Sequence, residues 1–392
     1  MSGVTAPAVT QEQLARRDAA IATSGWGRPF RLLQPRNLAF WVWAAGVIFG
    51  VWSALQLFSP QAPVAGEALT VGALVAAGFG AVLWLFFKSI DRYDRLPVLL
   101  LVSAFLWGGF AATYGMAILA NSANMELLAK LIGQGFESDW GAGLSAPIVE
   151  ETSKGVGFLL FFTLAPAVLH SPRAALITGA FIGLGFQILE DDLYSLQGAA
   201  GAFYADQAGA VLQTAVVRIA TGLISHAAYT GIFCVGLLYV LGTPAVKRNV
   251  PKGLLFMLIA MTIHGTWDAA AAIADGNGFG TIGALLFSSV LALVALLWAF
   301  RLSQPLEQQW MRDILAPEVA AGHVTTEEID AAAGRRKHRK AFEKATHGHR
   351  AHKHARHVLE AVIDLAHELA ASGGKETPSV QYARAEVVRL RA

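Results

Sequence analysis

The 392-residue chain is 55% hydrophobic and only 15% charged, with a mean hydropathy of +0.48 and a formal net charge of +2. Soluble domains carry nearer a quarter of charged residues, so this chain lacks the polar shell that two or three soluble domains would need. The single Cys234 lies in an apolar run, which excludes a disulfide framework and a cysteine zinc site.

Residues 1–37 are polar, carry five arginines, and are too long and scattered for a signal-peptide leader, so the first span is expected to be retained. Crossing about 30 Å of hydrocarbon takes about 20 apolar residues. Eight such runs follow, at roughly 38–58, 68–87, 97–120, 144–169, 174–193, 219–241, 253–274 and 279–300. The fold class expected is an all-α polytopic membrane helix bundle of about eight transmembrane helices with a helical cytoplasmic C-terminal tail. Its parts are a cytoplasmic segment 1–37, a bundle 38–301 and a tail 302–392. Glycines 155, 157, 179, 183 and 185 suit close helix approach in lipid. Residues 121–143, with Met125, Leu127, Leu128, Leu131 and Ile132, read as a short amphipathic helix on the outer surface.

Lysine and arginine orient the spans. Alternate segments hold five (1–37), three (88–96), one (170–173), three (242–252) and fifteen (301–392), whereas the opposite loops hold only Lys130. This places both termini in the cytoplasm of a multi-pass cell-membrane protein.

The tail begins near 302. Residues 334–357 carry nine Lys/Arg against one Glu, with six histidines: His338, His347, His349, His352, His354 and His357. Anionic lipid, a cytoplasmic protein and metal capture are the functional readings, and a solvated helix face is the bland one. Cations interleaved with the histidines oppose metal capture, and no nucleic-acid partner is expected. Val358, Leu359, Val362, Leu365 and Leu369 form a helical stripe that needs a partner, and Thr325 to Glu328 looks like a helix start.

Charges at membrane depth are costly and mark sites. Glu150, Glu151 and Lys154 lie in the fourth span, Glu190 ends the fifth, His226 is in the sixth, and His264 and Asp268 are in the seventh. Arg218 stands at the outer edge of the sixth. Glu150 and Lys154 are four apart and share a helix face, as do His264 and Asp268. One such pair would be structural glue, whereas four consecutive spans contributing acids and histidines point to a polar pocket. No H-E-x-x-H, G-x-S-x-G, G-x-G-D or Walker pattern lies in a span. The surviving hydrolytic scheme uses glutamate as a base on water, helped by histidine and carboxylate.

At these residues the chain resembles the PrsW intramembrane proteases, distant relatives of the CAAX prenyl proteases. Glu150-Glu151-Thr-Ser-Lys154 matches their E-E-x-x-K motif, Phe186-Gln-Ile-Leu-Glu190 their F-x-x-x-E motif, and His264-Gly-Thr-Trp-Asp268 their H-x-x-x-D motif. His226 falls where the intermediate histidine belongs, although Gly222 stands where relatives often carry an aromatic residue. The likeness covers about 140–275 and leaves the tail unexplained. It implies peptide-bond hydrolysis in membrane-anchored substrates, such as anti-sigma factors cut on their outer side. Two glutamates and two histidines are able to bind a metal, with Zn²⁺ the first candidate, or to activate water alone. In the metal-free scheme Glu150 or Glu151 is the base and Lys154 holds the other carboxylate ionised. His226 and His264 stabilise the oxyanion, with Asp268 orienting His264. A proton- or ion-coupled transporter and a membrane scaffold are the competing readings. Counted at 1.5 Å per residue, Glu150, His226, Asp268 and His264 lie about 10 to 16 Å deep and Glu190 a few residues from its outer loop, so these five positions are expected in the outer half of the bilayer.

Overall fold

The structure, a computed structural model, describes residues 9–345 and 349–391. It is all-helical among those residues, and His347 lies outside them. The helices are α1 (Gln11–Ser24), α2 (Leu38–Phe58), α3 (Ala62–Ile90), α4 (Val98–Leu106), α5 (Ile118–Leu131), α6 (Gln134–Leu164), α7 (Pro172–Gly201) and α8 (Gln207–Gly222). They continue as α9 (Ser225–Leu241), α10 (Val250–Asp268), α11 (Ala270–Ile273), α12 (Gly278–Ala320), α13 (Thr326–Ala333), α14 (Arg336–Lys344), α15 (His349–Ala371) and α16 (Pro378–Arg391).

Five helical stretches are long and apolar enough to cross a membrane: Leu38–Ile90, Val98–Leu131, Pro172–Gly201, Gln207–Leu241 and Gly278–Ala320. The first holds both α2 and α3, parted by a 3₁₀ turn at Ser59–Gln61 and a non-helical Ala65. The helices α6 and α10 are absent from the five for a chemical reason. They hold Glu150, Glu151, Lys154, His264 and Asp268, the charges that dilute their apolar runs.

Several boundaries differ from the expected spans. The expected sixth span is broken at Leu223–Ile224, so α8 ends with Gly222 and His226 is the second residue of α9. The separate surface helix expected over 121–143 is instead divided between α5, which continues from α4 through a π-helical segment, Trp107–Ala117, and the start of α6 at Gln134. That segment contains two adjacent glycines, Gly108 and Gly109, and opens with Trp107, whose Nε1 donates to Ser153 O at 3.0 Å.

Two compact units emerge from the Cα packing. The larger comprises 30–92 and 96–300. Its core is aromatic and small by turns: Trp107, Phe158, Phe161, Phe181 and Phe186 interlock with alanines and glycines. At Gly183 a Cβ would collide with the carbonyl oxygen of His226, so only glycine lets α7 and α9 meet this closely.

The smaller unit comprises the described residues of 1–29 and 301–392 together with 93–95. Here Thr325 and Glu328 form a reciprocal capping box, Glu328 N donating to Thr325 Oγ1 at 3.2 Å and Thr325 N to Glu328 Oε2 at 2.8 Å. The stripe Val358, Leu359, Val362, Leu365 and Leu369 is fully buried. Nearby, Trp26 stacks on His367 with ring centroids 5.0 Å apart and donates to Asp94 Oδ1 at 3.0 Å.

Candidate active site

Helix α6 brings Glu150, Glu151 and Lys154 onto one buried side, because residues three and four apart face the same way. Lys154 has no exposed surface. Its Nζ donates to Glu151 Oε1 at 2.9 Å, to Glu150 Oε2 at 3.3 Å and to His226 Nδ1 at 2.9 Å, and it lies 3.7 Å from the centre of the Phe186 ring. Because an ammonium has no lone pair, His226 Nδ1 must accept. The proton is therefore on His226 Nε2, which donates to Glu190 Oε2 at 3.0 Å. Glu190 is in turn held by Arg218 Nη2 at 2.7 Å, and Arg218 Nε also pairs with Asp191.

The two adjacent glutamates have different surroundings. Glu151 is saturated, since its Oε2 accepts from Thr230 at 3.0 Å and its Oε1 lies 3.1 Å from His264 Nδ1. Glu150 Oε1 accepts from Asn121 Nδ2 at 3.1 Å, and Ser145 Oγ fixes that amide by donating to Asn121 Oδ1 at 3.0 Å. Glu150 Oε2 points to the centre, 3.6 Å from His264 Nε2 and 3.8 Å from His226 Nδ1. Asp268 Oδ2 approaches His264 Nε2 at 3.3 Å. The His264 ring stacks on Tyr229, centroids 4.9 Å apart, and meets His226 edge-on at 5.0 Å.

All seven residues expected from the sequence thus join one buried polar network in the larger unit. Sequence reading missed Asn121, Ser145, Thr230 and Tyr229. Thr230 and Tyr229 carried a signal, being four and three residues after His226 on the same helix face. Asn121 carried none, because it was assigned to a surface helix.

Glu150, His226 and His264 each offer a ligand atom, all within 4.8 Å of one another and all buried. Two imidazoles and a carboxylate with an open position is a donor set suited to a catalytic Zn²⁺. Charge balance agrees: Glu150, Glu151, Glu190, Asp191 and Asp268 face only two permanent cations, Lys154 and Arg218. His264 Nδ1 and Asp268 Oδ2 are also buried without an aligned hydrogen bond, so the polar set is not satisfied by protein alone. The residues present fit a divalent cation, provided Lys154 yields His226 Nδ1.

Residues 96–299, just over half the chain, match the family described as PrsW family intramembrane metalloprotease. Comparison with curated proteins and with solved structures gave no match. A match to a peptidase family decides the choice among protease, transporter and scaffold. The chain belongs to the PrsW family and is a multi-pass, membrane-embedded peptidase.

Proposed function

We propose that this protein hydrolyses a peptide bond in membrane-anchored protein substrates, of the anti-sigma-factor kind, near the extracytoplasmic face. In this reading Glu150 is the carboxylate that activates water, through the oxygen that faces both imidazoles. Glu151 anchors Lys154 and His264. His264, steadied by Asp268, Glu151 and the Tyr229 ring, donates to the oxygen that gains charge as the carbonyl is attacked. His226 is fixed as the Nε2–H tautomer between Lys154 and Glu190, and Arg218 holds Glu190 in place. In the alternative form of the site, Lys154 would yield His226 Nδ1, His264 would give up its donor role, and Glu150, His226 and His264 would hold a divalent cation, Zn²⁺ first by donor type. Such an ion supplies Lewis acidity and a more acidic water.

The observation that carries the proposal is the convergence of Glu150, His226 and His264, buried and within 4.8 Å. We further propose eight spans with both termini cytoplasmic in the cell membrane, with 38–301 as the protease bundle. Counting α2 and α3 separately and adding α6 and α10 to the apolar stretches supports that number.

The test is cleavage of a membrane-tethered reporter library by purified protein in vesicles. Glu150→Gln should lower the rate by about 10³-fold while the protein remains inserted, the size expected for a lost general base. A Glu150→Gln protein that inserts and cleaves at the wild-type rate sinks the glutamate scheme. Metal content of the purified protein, with and without His264→Ala, reports separately on the cation.

A further inference from the structure

Within the smaller unit many of the arginines are neutralised in pairs. Arg16 meets Glu12 at 2.5 Å, Arg312 meets Asp330 at 3.3 Å, Arg384 meets Glu318 at 2.7 Å, and Arg391 meets Glu328 at 2.7 Å. Arg95 pairs with Asp364, and Arg389 with Glu386 at 2.6 Å. One region concentrates cations that have no such partner. Of the nine lysines and arginines between 334 and 357, Arg339 alone is paired with a carboxylate among the described residues, to Glu360 at 2.8 Å, and that pair ties α14 to α15. The other eight are exposed and, among the described residues, have no acidic partner. Lys337, Lys340 and Lys344 carry this charge along α14, and Arg350, Lys353 and Arg356 along the start of α15. Eight like charges within 22 residues repel one another, and the described residues supply no carboxylate to offset them.

The counter-charge must be a surface of many anions, because the cations are spread over two helices rather than gathered round a pocket. Single-stranded nucleic acid would need aromatic platforms, and Phe342, the one Phe, Tyr or Trp in 334–357, is half-buried. A bilayer is already at hand. The chain passes directly from the apolar 278–300 stretch into its polar part. Arg335 follows Phe300 by only 35 residues, so the tether keeps the cluster at high effective concentration beside the membrane. We propose that the exposed basic face of α14 and the start of α15 binds anionic phospholipid headgroups of the bilayer that holds the protein. This does not depend on the protease reading.

The full-length protein in lipid nanodiscs tests it, with hydrogen exchange read across 335–345 and 349–357. In discs containing about 30% phosphatidylglycerol, these amides should exchange about tenfold more slowly than in pure phosphatidylcholine. The protection should vanish in about 0.5 M salt, where charges are screened beyond about 4 Å. The triple variant Lys337→Glu, Lys340→Glu, Lys344→Glu should lose it while keeping peptidase activity. Equal exchange in the two discs overturns the proposal. So does equal protection in phosphatidylcholine discs by inorganic phosphate or an added polyanion. The salt response of the unaltered protein decides the matter even if the triple variant fails to fold.

Discussion

With no exposed surface, Lys154 cannot exchange its carboxylate partners for water. Lys154→Met would leave Glu150 and Glu151 buried and short of a cation, a change that costs about 3–5 kcal/mol in comparable pairs. The expected result is loss of folded protein, read as a collapse in monodisperse yield. Asn121→Ala is milder, because it removes one neutral donor from Glu150 and leaves the charges intact. Folding should be kept while turnover falls about tenfold through a misaimed carboxylate, with substrate KM unchanged. His367, outside the membrane-spanning part, gives a pH prediction. Burial, and then the nearby Arg95, push its pKa down from 6.5 to about 3. Between those values the unfolded chain binds the proton and the folded unit does not, so stability is present above pH 6.5 and falls toward pH 3. Proteolysis of the tail should accelerate as pH drops through that window. His367→Gln should flatten the response, and an equally steep response in that variant would refute the assignment.

At the scale of elements, the contact between α7 and α9 sets the position of His226. Gly183→Ala places a methyl against the His226 carbonyl, a backbone atom with nowhere to move, and overpacking of this kind costs about 1–3 kcal/mol. Activity should fall by more than the melting temperature suggests, because the displaced atom belongs to a residue of the pocket. Gly78→Ala, which meets nothing within 4 Å, is the matched control and should change neither. The same helices show where sequence reasoning stops. Spacing rules placed Glu150 beside Lys154 and His264 beside Asp268, since both pairs lie within one helix. Nothing local places Glu190 against His226, or Asn121 against Glu150, since those contacts exist only after helices pack. The break at Leu223–Ile224 was invisible for a related reason. Neither residue is a glycine or proline, and Ile224 adopts φ −129° and ψ 19° without a sequence signature. The π-helical segment is equally silent, because apolar periodicity cannot distinguish it from the α-helix on either side.

For the whole molecule, the eight-span proposal is open to a direct test. Reporter fusions after residues 60, 135, 205 and 276 should lie outside, and those after 92, 247 and 310 inside. Two inversions would break the arrangement. Mass mapping of a trapped product should find the cut at or just beyond the outer edge of the substrate's transmembrane segment. A cytoplasmic cut would refute the placement of the site. Composition alone made the all-helical membrane class legible, because so apolar a chain has few other ways to satisfy its backbone. The tail was legible in part: its capping box and apolar stripe were readable. Its grouping with 93–95 and with α1 was not, because the pairing of Tyr93 Oη with Ala333 O at 3.1 Å spans 240 residues of chain.

The buried Lys154 network also bears on how the protein is made. On the eight-span proposal α6 crosses the membrane, where a charge at the centre of a lone helix costs about 3 kcal/mol on insertion, and α6 brings three of them. When α6 emerges during synthesis, the helices that supply Thr230, His226 and His264 have not yet been translated. The nascent α6 must therefore wait, shielded by the insertion machinery or by α2 to α5, until α9 and α10 arrive. Chains truncated after residue 205 should be degraded quickly, and chains extended through 300 should persist. If the shorter chain is equally long-lived, α6 does not depend on later helices for its place in the membrane.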